Sequence, residues 1–140
     1  MFFPRVRSSA VLVFALTFSL LLTANADDAL QKRIVGTWLE KRFETKSKAV
    51  KESDNLVTFS ADGGLKLHLK KGEKGDQKSL DGTWKMEGDG KLKMELLVDG
   101  EKNEQSMTVS FEGEEMVFTD SDGRRTWHSR HEGPLPERYQ

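Results

Sequence analysis

Beyond residue 26 the apolar positions alternate with polar ones. The run LKLHLK sets Leu65, Leu67 and Leu69 on one face and Lys66, His68 and Lys70 on the other. KLKMEL does the same with Leu92, Met94 and Leu96, and SMTVSF with Met107, Val109 and Phe111. LDGTWKM carries Leu80, Gly82, Trp84 and Met86 on a single side. A period of two describes strands with one wet face. Asp-Gly pairs at 62–63, 89–90, 99–100 and 122–123 punctuate these runs, and Asp-Gly suits tight hairpins because both residues tolerate positive φ. A further pair, Asp81-Gly82, falls inside a run and reads as a strand glycine.

The pattern predicts eight strands, at about 34–43, 55–60, 64–70, 79–87, 91–97, 104–112, 115–120 and 123–130. Ala29–Arg33 reads as a short helical turn leading into the first. Glu44–Asp54 and Lys70–Lys78 are polar, lack alternation and read as loops. Eight short antiparallel strands in sequence order form a meander, and closure into an up-and-down barrel removes its edges. The fold class is therefore all-β. At eight strands the interior is just wide enough to be filled by side chains or to hold one small ligand.

Residues 1–26 differ in kind. Arg5 and Arg7 precede an apolar run of 12 residues, Val11–Leu22, and Ala24-Asn25-Ala26 follows as a small-x-small cleavage site. This is the layout of a secretory signal peptide, and the run falls short of the ~20 residues a membrane span requires. The expected organisation is a leader over 1–26, a barrel over 27–130 and a C-terminal tail over 131–140 containing Pro134 and Pro136, disordered or loosely docked. The expected location is secreted or periplasmic.

Composition narrows the chemistry. The formal net charge of −1 offers no basic footprint for nucleic acid. With no cysteine there is neither a disulfide framework nor thiol chemistry. No Gly-x-Ser-x-Gly elbow occurs, and Ser121 and Ser129 near His128 make a triad only if space brings them together. His128 and His131 lack the further ligands of a zinc site, and Asp120–Gly123 lacks the later carboxylates of a calcium loop, so no metal or cofactor is expected. Glu114 and Glu115, adjacent on a strand, would face opposite ways and make no acid/base couple. The expectation is a monomer without enzymatic activity.

The tripeptide Gly-Thr-Trp occurs twice, at 36–38 and 82–84. On the first strand, just after a helical lead-in, it resembles the signature of lipocalins and their relatives. Together VGTW, VTFSADGGLKL, GTWKMEGDGKLKMEL and MVFTDSDGRRTW are similar to the short lipocalin-like domains of exported bacterial proteins. The resemblance implies that Trp38 packs across one end of the barrel beneath a basic residue near the last strand. Arg124, Arg125 and Arg130 are available, and Arg125, which shares strand parity with Trp127, is the first choice. The repeat itself is explained by glycine allowing close backbone approach and tryptophan filling a large space.

The expected interior contains Trp38, Phe59, Trp84, Met86, Met94, Met107, Phe111, Phe118 and Trp127, with leucines between them. Burying one large side chain contributes roughly 1.5–3 kcal/mol, and ordering the chain consumes most of the sum, so a largely filled core is favoured. The candidate ligand-binding residues are Trp38, Trp84, Met86, Met94, Met107, Phe111, Arg125 and Trp127. Two partners fit: a small hydrophobic molecule or lipid, or another protein. In the second case the chain resembles a periplasmic protease-inhibitor barrel with a filled core, and Asp27–Arg33 would engage the partner.

Overall fold

A computed structural model describes residues 27–140. The leader assigned to 1–26 lies outside the described residues. Residues 27–34 form a helix, α1, followed by strands β1 (Gly36–Glu44), β2 (Val50–Glu52), β3 (Leu56–Phe59), β4 (Gly64–His68), β5 (Ser79–Met86), β6 (Lys91–Val98), β7 (Glu101–Glu112), β8 (Glu115–Thr119) and β9 (Arg125–His131). All ladders are antiparallel, and β1 pairs with β9 to close the sheet on itself. The result is an eight-stranded antiparallel up-and-down barrel.

The segment read as a loop, Glu44–Asp54, contains β2. This short strand pairs with Arg42–Glu44, on the side of β1 where β3 pairs with Gly36–Leu39. β2 and β3 thus form one interrupted stave. Between β6 and β7 the turn Asp99-Gly100 has φ of 51° and 81°, the double positive φ of a tight hairpin whose twist matches its strands. Gly82 lies within β5 opposite Leu65 and Leu96. A Cβ there would collide with the Glu95 carbonyl, so the glycine permits close approach of β5 and β6.

Ile34, Trp38, Phe59, Leu65, Trp84, Leu92, Met94, Val109, Met116 and Phe118 form one contiguous buried core, with Met86, Leu96, Met107 and Phe111 half-buried against it. Phe59 meets Trp84 and Phe118 edge-on, with ring centroids 5.5 and 6.1 Å apart, an arrangement favoured by aromatic quadrupoles. The Trp84 indole N–H donates to the Ser60 carbonyl at 2.9 Å.

The last strand ends at His131, and the tail then folds back into a 3₁₀ turn, Glu137–Tyr139. The Lys71 amide donates to the Arg138 carbonyl at 2.7 Å, and Tyr139 is buried. The tail is docked on the 70–78 loop.

Candidate functional site

At one end of the barrel α1 lies against the core through Ile34 and Leu30. Trp38 donates its indole N–H to the Ile34 carbonyl at 2.7 Å. The Arg130 guanidinium sits 4.3 Å from the centre of the Trp38 ring and donates to the carbonyls of Arg33 at 2.7 Å and Val35 at 2.9 Å. These carbonyls lie at the C-terminal end of α1, where helix carbonyls have no partner of their own and a cation is favoured. Gly36 explains the fit: a Cβ at that position would strike the Arg130 guanidinium. Arg33 in turn donates to the Gly113 carbonyl at 2.8 Å and covers the Phe111 ring at 3.8 Å. This end is therefore plugged, and Asp27–Arg33 is helical and tied to the barrel.

The basic residue over Trp38 is Arg130, in place of the expected Arg125. The reason lies in β9. His128 packs against the core residue Phe118, with ring centroids 4.6 Å apart and planes tilted by 53°, so it points inward and Trp127 points out. Trp127 stands outside the core, contrary to the expected inward placement. Its ring is flanked by Arg42 and Arg125, at 4.7 and 4.9 Å, and its N–H donates to Glu112 at 3.1 Å. Arg42 makes a two-pronged pair with Glu115 at 2.9 and 3.1 Å, and Arg125 pairs with Glu44 at 2.7 Å. Hydrogen bonding from Arg125 holds the Glu44 carboxyl below its usual range, and Arg42 does the same for Glu115. On the barrel wall these planar ion pairs shield a tryptophan from water.

Of the eight candidate ligand-binding residues, Trp38, Trp84, Met86, Met94, Met107 and Phe111 come together in or against the core, whereas Arg125 and Trp127 sit on the outer wall. The side chains that line the other end of the barrel were not among those read from the sequence. A bulge at Lys41 shifts the β1 register between Glu40 and Arg42. It brings Glu40 opposite His128 and Phe43 opposite Thr126, so both β1 side chains join the inward face of β9. Glu40 accepts hydrogen bonds from Ser53 and from Asn55, the latter at 2.7 Å. Glu40, Phe43, Ser53, Asn55, Asp120 and Thr126 line a cleft of about 330 Å³.

Beneath them lies His128, only 3% exposed, its Nδ1 3.2 Å from the Met116 carbonyl. Burial holds its imidazole below its ordinary pKa, which outweighs the opposing influence of the Met116 carbonyl and of Glu40. A neutral imidazole donates from Nδ1 to that carbonyl. Ser129, next to His128 on β9, faces the opposite side, so the two do not form a nucleophile–base pair. The usable chemistry here is that of a recess with an aromatic wall, the carboxylates of Glu40, Glu44 and Asp120, the Arg124 guanidinium and several neutral hydrogen-bonding groups.

The lipocalin-like domain family matches residues 34–118. The chain belongs to the lipocalin-like domain family. The match runs from just before β1 into β8 and contains both Gly-Thr-Trp tripeptides, while Arg130 lies beyond it. Among solved structures, a lipocalin-like protein from Bacteroides uniformis ATCC 8492 superposes with a TM-score of 0.59 at 11% identity, covering 71% of this chain and 99% of that one. An uncharacterized protein from Bacteroides eggerthii DSM 20697 gives a TM-score of 0.56 at 14% identity, covering 70% of this chain and 99% of that one. At such identities the likeness is one of fold alone. No curated protein matches the chain. The lipocalin-like barrel thus has a plugged base beside α1, a packed interior and a polar recess at its opposite end.

Proposed function

We propose that the protein is an exported, non-enzymatic lipocalin-like barrel that binds a small molecule with an apolar part at the recess above His128. Export rests on the leader pattern of residues 1–26, with cleavage after Ala26 and a secreted or periplasmic destination. The observation that carries the binding reading is the contrast between the two ends. The base is sealed by Arg130 and Trp38, whereas at the other end Phe43, Glu40, Asn55 and Thr126 stand inward and remain accessible. A ligand would lay its apolar part on Phe43 and its polar group among Glu40, Ser53 and Asn55. The filled core favours a shallow mouth over a deep calyx.

Titration of the purified protein with medium-chain fatty acids, fatty amines and an anilinonaphthalene sulfonate, followed by tryptophan fluorescence, tests this reading. Saturable change that is lost in F43A or in T126W, which fills the recess, is the expected result. A flat response to every compound would dismiss it.

A further inference from the structure

The barrel is not evenly edged. Strand β7 pairs with β6 from Glu101 to Thr108, yet β8 covers only Thr108–Glu112. Along Glu101–Met107 one side of β7 therefore has no strand neighbour among the described residues. The phase of the ladder identifies the free groups. The Val109 amide donates toward β6, to the Gly90 carbonyl at 2.8 Å. Since successive residues direct their backbone groups to alternate sides, the amides and carbonyls of Lys102, Glu104 and Ser106 point away from β6. All residues from Glu101 to Ser106 are exposed.

A bare edge of this length normally invites pairing, and charges placed on it normally discourage it. Here the charges complement their own reversed copy. We infer that this edge joins a second copy of the same chain in an antiparallel β7–β7 pairing, with Asn103 on the two-fold axis.

In that register Lys102 stands directly opposite the second copy's Glu104, and the relation is repeated by symmetry. Opposite charges facing each other across a ladder attract, and a two-fold axis creates both pairs at once. Placing Glu104 on the axis would set two carboxylates face to face. Placing Gln105 on the axis would require the backbone of Thr108, which β8 already occupies. The Asn103 register also places the second copy's Gly100 opposite Ser106. Its hairpin turn then reaches the fork where β7 leaves β8, an open cleft of about 530 Å³ lined by Ser106, Met107, Thr119 and Ser121 among others. Leu97, paired with Lys102 and 49% exposed, extends the same outer face.

Sedimentation of the purified protein from about 1 μM to about 1 mM should show a reversible monomer–dimer equilibrium. K102E and E104K should each weaken it by about tenfold, and the K102E/E104K double variant should restore it. E104P, which removes an outward amide without touching the β6 ladder, should abolish it. Since the chain has no cysteine, N103C introduces a lone thiol at the axis, in a non-hydrogen-bonded pair whose side chains are close enough for a disulfide. It should oxidise to a linked dimer far faster than S110C, placed where β8 already pairs with the edge that Glu101–Met107 leaves open. A monomer at every concentration, or a dimer indifferent to E104P and to the charge exchange, overturns the inference. With circular dichroism unchanged, these variants report association and not folding.

Discussion

The Arg130 guanidinium occupies the space that a side chain on Gly36 would need. One residue is small so that another, 94 positions away in sequence, can cover Trp38 and cap α1. Their dependence makes a strong prediction. G36A, at φ of 136° and facing a collision, should destabilise the fold by about 2 kcal/mol or more. R130M removes two carbonyl hydrogen bonds and the ring contact, and should cost about 1–2 kcal/mol. In the double variant the costs should fall well short of additive, because G36A has already displaced the arginine. Denaturant unfolding of the four proteins measures this, and strict additivity would refute the coupling.

The second Gly-Thr-Trp makes a related but distinct prediction. Adding a methyl group to Gly82 drives it into the backbone carbonyl of Glu95, which cannot swing away as the end of a flexible side chain could. G82A should cost roughly 2–4 kcal/mol. G72A lies in open space and carries only the strain of a φ of 83°. Its cost should be closer to ~1 kcal/mol. Equal losses at the two positions would show that the β5–β6 approach is looser than the register implies.

Acid should act in two stages. His128 and His68 are held below their ordinary value of 6.5 by burial, with Lys66 adding to the effect at His68. The unfolded chain therefore takes up protons first, and the stabilisation, complete above about pH 6.5, is lost as the pH falls through the lower folded values. Hydrogen bonds from arginines lower the Glu44 and Glu115 carboxyls, and backbone hydrogen bonds at Arg124 and Asp122, with the Arg124 guanidinium, lower that of Asp120. Their stabilisation is present above the ordinary carboxyl range and is lost below it. The melting temperature should thus decline first below about pH 6.5 and again below about pH 4. H68Q/H128F should remove the first decline and leave the second. Persistence of the first decline in that variant would locate its cause elsewhere.

Tyr139 offers a gain of stability. It is buried, and its hydroxyl has no hydrogen-bond partner among the described residues. Removing an unsatisfied buried hydroxyl relieves a desolvation cost, so Y139F should be neutral or stabilising by up to about 1–2 kcal/mol. Y139A should loosen the tail, seen as faster amide exchange at Lys71, whose N–H donates to Arg138. Protection at Lys71 unchanged by Y139A would mean that the ring does not hold the tail in place.

Much of this architecture was legible from residue order. Alternation in LKLHLK, KLKMEL and SMTVSF, cut by Asp-Gly turns, specifies antiparallel strands joined to their sequence neighbours, since a hairpin leaves little freedom of pairing. The first Gly-Thr-Trp likewise marked the helix-to-strand entry and the residue that seals the base. Six of the eight candidate ligand-binding residues lie in or against the core for the same reason.

What periodicity could not decide was the closure of β1 on β9, a pairing between segments some 90 residues apart with no turn to set its register. A single bulge at Lys41 changes which face of β1 follows the core, and neither the bulge nor its place shows in WLEKRF. The same closure turned Trp127 outward, where Arg42 and Arg125 shelter it, and brought Arg130 over Trp38. Trp127, the one large apolar ring of β9, is buried on its outer face beside the inward, buried His128, which made the inward side ambiguous, because hydrophobicity states that a side chain leaves water and not which neighbours cover it. Strand identity and order follow from local alternation and turn chemistry. The sealed base, the recess above His128 and the uncovered edge of β7 follow from long-range register, which only the closed barrel determines.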